Sequence, residues 1–163
     1  MLAAAALVIG ALLGMAGTFT PSAELRALAW GIDGTAIVVG MALLAVHHVR
    51  LGHELLAAGF LVFLAGETLI VSGSAMDLAA SAPTVAGGFA LWCAGTLLVS
   101  ASPYHPLWVR ATGAIAAILL GTTAVMIFCG GTLTPLSKPL PFFAFPFLAL
   151  TLVGWAWTHY KRP

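Results

Sequence analysis

Six apolar segments, each about as long as a bilayer is thick, dominate this sequence. A helix that crosses the hydrocarbon core needs about 20 mostly apolar residues, whereas the strands of a membrane barrel alternate between apolar and polar positions. The segments here are continuously apolar, so we predict an all-α polytopic integral membrane protein. The six predicted transmembrane helices cover approximately residues 2–18, 27–46, 55–73, 84–100, 107–128 and 141–157.

The composition supports this interpretation. Of the 163 residues, 61% are hydrophobic and only 7% are charged, whereas soluble domains carry roughly 25% charged residues. So few charged side chains cannot cover a water-facing surface, and we therefore expect the lipid bilayer to be the main partner. The net charge of +1 comes without a clustered basic patch, which argues against nucleic-acid binding.

The segments between the predicted helices are short and rich in proline, glycine and polar residues. They leave no room for a soluble domain, so we predict one transmembrane domain over residues 1–163, a compact bundle with antiparallel neighbours. Cleavage of the first segment as a signal peptide is an alternative, but that segment lacks a basic region before its apolar run.

Lysine and arginine are distributed unevenly between the two predicted sides. Short cytoplasmic loops carry an excess of these residues. Four lie on the side of both termini and two on the other: Arg50, Arg110, Lys161 and Arg162 against Arg26 and Lys138. We therefore expect cytoplasmic termini, in a membrane of the bacterial inner (plasma) type.

Two carboxyl groups interrupt otherwise apolar segments. Asp33 and Glu67 each lie 17 residues from Arg50, near the turn between the second and third helices. Equal distance from the turn of an antiparallel hairpin means equal depth, about 9 Å inside the outer helix ends. A charged residue in a membrane helix normally faces the bundle interior, so we expect the two carboxyls to meet.

Hydroxyl groups are predicted at a similar depth: Thr35, Thr68, Thr122 and Thr123. Together with the carboxyls they would form a site for a proton, a cation or a positively charged substrate group, because adjacent carboxyls in a low dielectric cannot both stay ionised alone. Arg26 is an alternative partner for Asp33. In a further alternative, both acids only lock helices together by hydrogen bonds.

A second polar cluster consists of His47, His48, His53 and Glu54, between the second and third helices. Imidazoles and a carboxylate can bind zinc or iron, so these residues are a candidate metal site. Imidazoles that titrate near neutral pH are another functional option. Ordinary interfacial residues beside lipid headgroups are the alternative. All five histidines, including His105 and His159, are predicted on the side of the termini.

Small residues recur at spacings typical of close helix packing. Gly10 and Gly14 follow Ala6 on the first helix, and Gly113 and Gly121 flank Ala117 on the fifth. Lipid provides no hydrophobic drive for helix association, so close approach of backbones at small residues supplies it. These faces hold the bundle together or, alternatively, form contacts with a homo-oligomer or a larger membrane complex.

Three functions from different classes agree with these features. The first is a small transporter or channel-like protein for a proton, cation or small solute. The second is a non-catalytic subunit or assembly factor of a membrane complex. The third is a membrane enzyme that acts on a lipid or isoprenoid, with the carboxyls as acid and base. The sequence contains no phosphate-binding Gly-Lys loop and no CxxC pair, so we expect no cofactor and favour a non-enzymatic role.

Overall fold

Six helices build the computed structural model, which describes residues 1–74 and 80–161. They are α1 (Leu2–Phe19), α2 (Ala23–Arg50), α3 (Glu54–Ser74), α4 (Ala82–Ala101), α5 (Leu107–Phe128) and α6 (Ala144–Lys161). The described ranges contain no strand, which confirms the all-α prediction. Arg162, used above for the charge bias, lies outside the described residues.

The six helices form a closed ring. Each packs against its neighbours in sequence, and α1 packs against α6. Backbones on opposite sides of the ring do not come into contact within the described ranges, so side chains fill the centre. Large aromatic side chains occupy much of it: Phe60, Phe63, Phe89 and Trp155 are almost completely buried.

The alternating helix directions give the ring two distinct ends. Both termini and the connections α2–α3 and α4–α5 lie at one end, which contains all five histidines and is called the histidine end below. The connections α1–α2 and α5–α6, together with the end of α3 and the start of α4, lie at the opposite end, called the carboxyl end because Asp33 and Glu67 lie in that half of the bundle.

Five helices, α1 to α5, are long and apolar enough to cross a membrane. Their outer faces carry large exposed hydrophobic side chains such as Leu12, Leu28 and Ile118, as contact with lipid requires. The protein is therefore an integral membrane protein. The five candidate spans do not include α6, whose last turn contains polar residues such as His159 and Lys161, although α6 packs between α5 and α1.

Four helix ends differ from the prediction by three residues or more. The second helix begins at Ala23, four residues earlier than predicted, and the sixth ends at Lys161, four residues later than predicted. We expected the second helix to end at residue 46, but α2 continues to Arg50, so His47 and His48 are helical. The sixth helix begins at Ala144, three residues later than predicted. Pro146 falls in its first turn, where a missing backbone N–H is tolerated.

Glycines bring the backbones of α3 and α4 into close contact. A Cβ atom on Gly95 would lie 2.6 Å from the backbone nitrogen of Phe63 and 2.7 Å from the carbonyl oxygen of Gly59. One on Gly66 would lie 2.9 Å from the carbonyl oxygen of Gly88. Gly59 and Gly66, spaced seven residues apart, thus face α4, because only glycine permits this approach.

Gly95→Ala should reduce the free energy of unfolding by about 1–3 kcal/mol, because the added methyl group meets backbone atoms that cannot move aside. Gly31→Ala is the matched control. A Cβ atom at Gly31 meets nothing within 4 Å, so the higher helix propensity of alanine should leave stability unchanged or higher. Unfolding in mixed micelles, followed by circular dichroism, measures both. Equal stability of the two variants would contradict the close α3–α4 contact.

Candidate functional site

A cavity lies inside the carboxyl half of the ring, with Asp33 and Glu67 in its wall. Side chains from α1, α2, α3, α4 and α6 line it, and the lining extends to Ser81 and Pro135 in the connections at the carboxyl end. The volume open to the centre of a water molecule is about 80 Å³. Because one water needs about 10–15 Å³ by this measure, the cavity has room for several water molecules or a hydrated ion.

Asp33 projects from α2 towards two glycines of α1. A Cβ atom on Gly14 would lie 2.8 Å from Oδ2 of Asp33, and one on Gly10 would lie 3.3 Å from Oδ1. Alanine at Gly14 would therefore press on the carboxyl group. Oδ1 is buried and has no hydrogen-bond partner among the described residues. The carboxyl thus occupies space that the glycines leave open and keeps acceptor capacity for something in the cavity.

Glu67 is 2% exposed and projects from α3 towards α2. A Cβ atom on Gly34 would lie 3.1 Å from Oε1 of Glu67. The indole of Trp92 interacts with this carboxyl. Nevertheless, neither Oε2 of Glu67 nor Nε1 of Trp92 has a hydrogen-bond partner of ordinary geometry in the part of the chain that the structure describes. Glu67 is thus a buried carboxyl with an unused acceptor atom.

The two carboxyls are close enough to interact electrostatically. Burial of an unpaired carboxylate is costly, and two neighbouring carboxylates also repel each other. A bound proton or a cation removes both penalties. The pair is therefore chemically suited to a proton, to a small cation that prefers oxygen ligands, or to a positively charged group.

The structure does not bring the predicted threonines to the carboxyls. Thr35, Thr68 and Thr122 are exposed on the outer surface, where each hydroxyl donates to a carbonyl of its own helix. Thr123 is buried and donates to the Leu119 carbonyl, but α5 provides none of the described lining residues. Similar depth in the membrane does not by itself bring a hydroxyl to the carboxyls, because successive residues of a helix point about 100° apart.

Arg26, the alternative partner of Asp33, makes other contacts. Its guanidinium donates to the carbonyl oxygen of Thr20 over 3.4 Å and lies 5.8 Å from the centre of the Trp30 ring. The Trp30 indole in turn donates to the Gly14 carbonyl over 3.4 Å. Arg26 thus fastens the start of α2 to the connection from α1.

Trp92 and the three glycines beside the carboxyls were absent from the predicted site. The sequence did contain a signal: Gly10 and Gly14 lie one turn apart on the helix that precedes Asp33. Their spacing indicated helix packing, which is only part of their role. Gly113 and Gly121 also face inward, against Ser100 and Cys93 respectively, so all four glycines proposed for contacts with a partner pack inside the chain.

The four candidate metal ligands do not come together in one cluster. His48 and His53 are in contact, with their Nδ1 atoms 3.2 Å apart, whereas Glu54 is exposed at the start of α3. The ring of His47 packs edge-on against the rings of His48 and His159, and no hydrogen bond joins them among the described residues. Within the described ranges, no three histidine, cysteine or acidic side chains are arranged to hold a metal ion.

No protein-family model matches this chain, and no curated protein or solved structure shows detectable similarity to it.

Glu67→Met should raise the free energy of unfolding by about 1–3 kcal/mol, because it removes a buried polar group without a full set of hydrogen bonds and keeps a similar side-chain volume. Glu24→Met, at an exposed position of α2, should change it by less than about 0.5 kcal/mol. Chemical unfolding in micelles measures both values. A clear loss of stability in Glu67→Met would instead indicate that the carboxyl holds helices together.

Proposed function

We propose that this protein is a small transporter that moves a proton or a small cation across the membrane, with Asp33 and Glu67 as the binding pair. The observation that carries the proposal is the presence of two buried carboxyl oxygens, Oδ1 of Asp33 and Oε2 of Glu67, without hydrogen-bond partners among the described residues and beside one cavity. Ionisable groups inside membrane helices typically mark proton and ion pathways.

The unused acceptor atoms favour transport over a purely structural role. A carboxyl that locks two helices together uses its oxygens in hydrogen bonds, as the hydroxyl of Thr151 does with Thr112 and the Phe147 carbonyl. The carboxyl oxygens named above make no such bond in the described part of the chain. They remain available to a ligand.

The volume of the cavity disfavours the enzymatic alternative. Pockets for drug-sized molecules typically have about 300–1,000 Å³, whereas this cavity offers about 80 Å³. This volume suits a proton, water or a small ion better than a lipid or isoprenoid substrate. The inward-facing glycines also weaken the alternative of a docking subunit, because the faces predicted for docking pack inside the chain.

An aromatic layer closes the interior between the cavity and the histidine end. It consists of Phe60, Phe63, Trp92 and Trp155. The rings of Phe63 and Trp92 stack with centroids 5.4 Å apart, and Trp155 contacts Phe60 and Phe63 edge-on at 5.3 and 5.8 Å. A transporter requires such a barrier, because its binding site must open to one side at a time. With cytoplasmic termini, as the charge bias predicts, the cavity lies on the non-cytoplasmic side.

Asp33→Asn and Glu67→Gln should each reduce flux at least tenfold, because a neutral amide has no exchangeable acidic proton and lacks the negative charge that offsets a bound cation. The measurement uses the full chain in proteoliposomes with an imposed pH gradient or a Na⁺ or K⁺ gradient, followed by an internal pH dye or by tracer uptake. The dependence on each gradient distinguishes proton from cation transport.

Glu24→Gln serves as the matched control, because it makes the same chemical change at an exposed position and should keep wild-type flux. Circular dichroism and size exclusion establish that all variants are folded. If wild-type vesicles leak no faster than empty ones under any gradient, or if both carboxyl variants transport normally, the proposal is wrong.

A further inference from the structure

Three histidines from different parts of the chain form a continuous line of hydrogen bonds at the histidine end. The Nδ1 atoms of His53 and His48 are 3.2 Å apart, and the Nε2 atoms of His48 and His159 are 2.8 Å apart. Nδ1 of His159 lies 2.7 Å from the carbonyl oxygen of Trp155. Among the described residues, every ring nitrogen in this line except Nε2 of His53 thus has a partner.

The carbonyl at the end of the line determines the direction of every bond. A carbonyl only accepts, so His159 donates from Nδ1 and, when neutral, accepts at Nε2. His48 must then donate from Nε2 and accept at Nδ1, which requires His53 to donate from Nδ1. All bonds therefore point inward, and Nε2 of His53, at the exposed end, is left as an acceptor that no described residue uses.

The end of α2 explains why His48 and His53 meet although they are five residues apart. Gly52 adopts φ +72°, a conformation that favours glycine. The backbone N–H of His53 donates to the His48 carbonyl, and that of Gly52 donates to the Val49 carbonyl, which is the Schellman arrangement. This cap folds His53 back over the last turn of α2, so the motif His-X-X-X-Gly-His encodes the contact locally.

The line passes from water into the dry interior. His53 is exposed, His48 is completely buried, and His159 is 8% exposed. Phe60 stacks on the His48 ring at 5.5 Å and also contacts His159 and Trp155. The inner end of the line therefore touches the aromatic layer whose other side borders the carboxyl cavity.

Other ionisable groups surround these rings. His47, on α2, contacts His48 and His159. From the connection between α4 and α5, Tyr104 contacts all three rings of the line, and His105 contacts His159 at 5.5 Å between centroids. These groups pack against the line from the side, and no hydrogen bond to it from His47 is present among the described residues.

We propose that His53, His48 and His159 form a proton relay between the water at the histidine end and the aromatic layer. A hydronium ion gives its proton to Nε2 of His53 and leaves water. The Nδ1 proton of His53 then passes to Nδ1 of His48, and the Nε2 proton of His48 passes to Nε2 of His159. One proton enters, and one positive charge ends on His159, where the Trp155 carbonyl stabilises it.

The role of this relay in transport rests on the proposed function. In that setting it is the second proton site, on the opposite side of the aromatic layer from Asp33 and Glu67. The relay itself rests only on the histidine geometry, so the two proposals can be tested separately.

Nitrogen-15 NMR of the histidine side chains tests the relay without any flux. In full-length protein in nanodiscs, His53 and His159 should carry their proton on Nδ1 and His48 on Nε2. Couplings between nitrogens across the His53–His48 and His48–His159 hydrogen bonds should be measurable. They should disappear in His48→Phe, which preserves an aromatic ring against Phe60. Absence of both couplings in the wild-type protein would overturn the relay.

Flux measurements in proteoliposomes test the transfer. His48→Phe should reduce proton flux at least tenfold. His53→Ala, at an exposed position, should reduce it several-fold, and imidazole added at the histidine end alone should restore it. His47→Gln, which removes an adjacent imidazole that makes no hydrogen bond in the line, should stay within twofold of the wild type.

The outcomes separate the two proposals. Nitrogen couplings without wild-type flux would support the relay and overturn the transport function. Asp33- and Glu67-dependent proton flux that both His48→Phe and His53→Ala leave unchanged would overturn the relay and support the transport function.

Discussion

Lipid offers no hydrogen bonds, and this constraint governs where the polar side chains of the membrane-spanning helices lie. Hydroxyl groups on the outer surface satisfy themselves on their own helix, as Thr35 does with Gly31 and Thr122 with Ile118. Side chains that cannot do so must face the interior of the ring. Asp33 and Glu67 are inside for this reason, and there they retain oxygens without partners among the described residues. A group that is costly to bury and is not used for packing is a strong candidate for function.

Glycine makes this arrangement sterically possible. The ring is closed by contacts between neighbouring helices, and glycines at these contacts let the backbones approach. Between α3 and α4 the missing side chains of the glycines let the two backbones come together. Between α1 and α2 they leave space that the carboxyl group of Asp33 occupies. The same residue type therefore serves stability in one interface and the site in another. As a result, a glycine pattern alone does not distinguish the two uses.

The interior is divided into three levels along the ring axis. A mostly apolar cavity with two carboxyls in its wall lies at one level, a layer of stacked and edge-on aromatic rings at the next, and a line of hydrogen-bonded histidines at the last. The cavity and the histidine line reach towards different ends of the bundle. A barrier with a proton-binding group on either side is the arrangement that controlled proton movement requires, and this order gives the two proposals a common physical basis.

The sequence by itself determined the number of helices, their approximate ends, their alternating directions and the half of the bundle in which the two carboxyls lie. These properties depend on local apolar length and on distance along the chain, which lipid and helix geometry translate directly into position. The cap at Gly52, which brings His53 to His48, is also local. Only the tertiary structure decided which faces meet. Thr35 and Thr68 share the depth of the carboxyls but point to lipid, and His159 reaches His48 across 111 residues. Helix rotation and ring closure arise from packing between distant segments, and no single segment of the sequence encodes them.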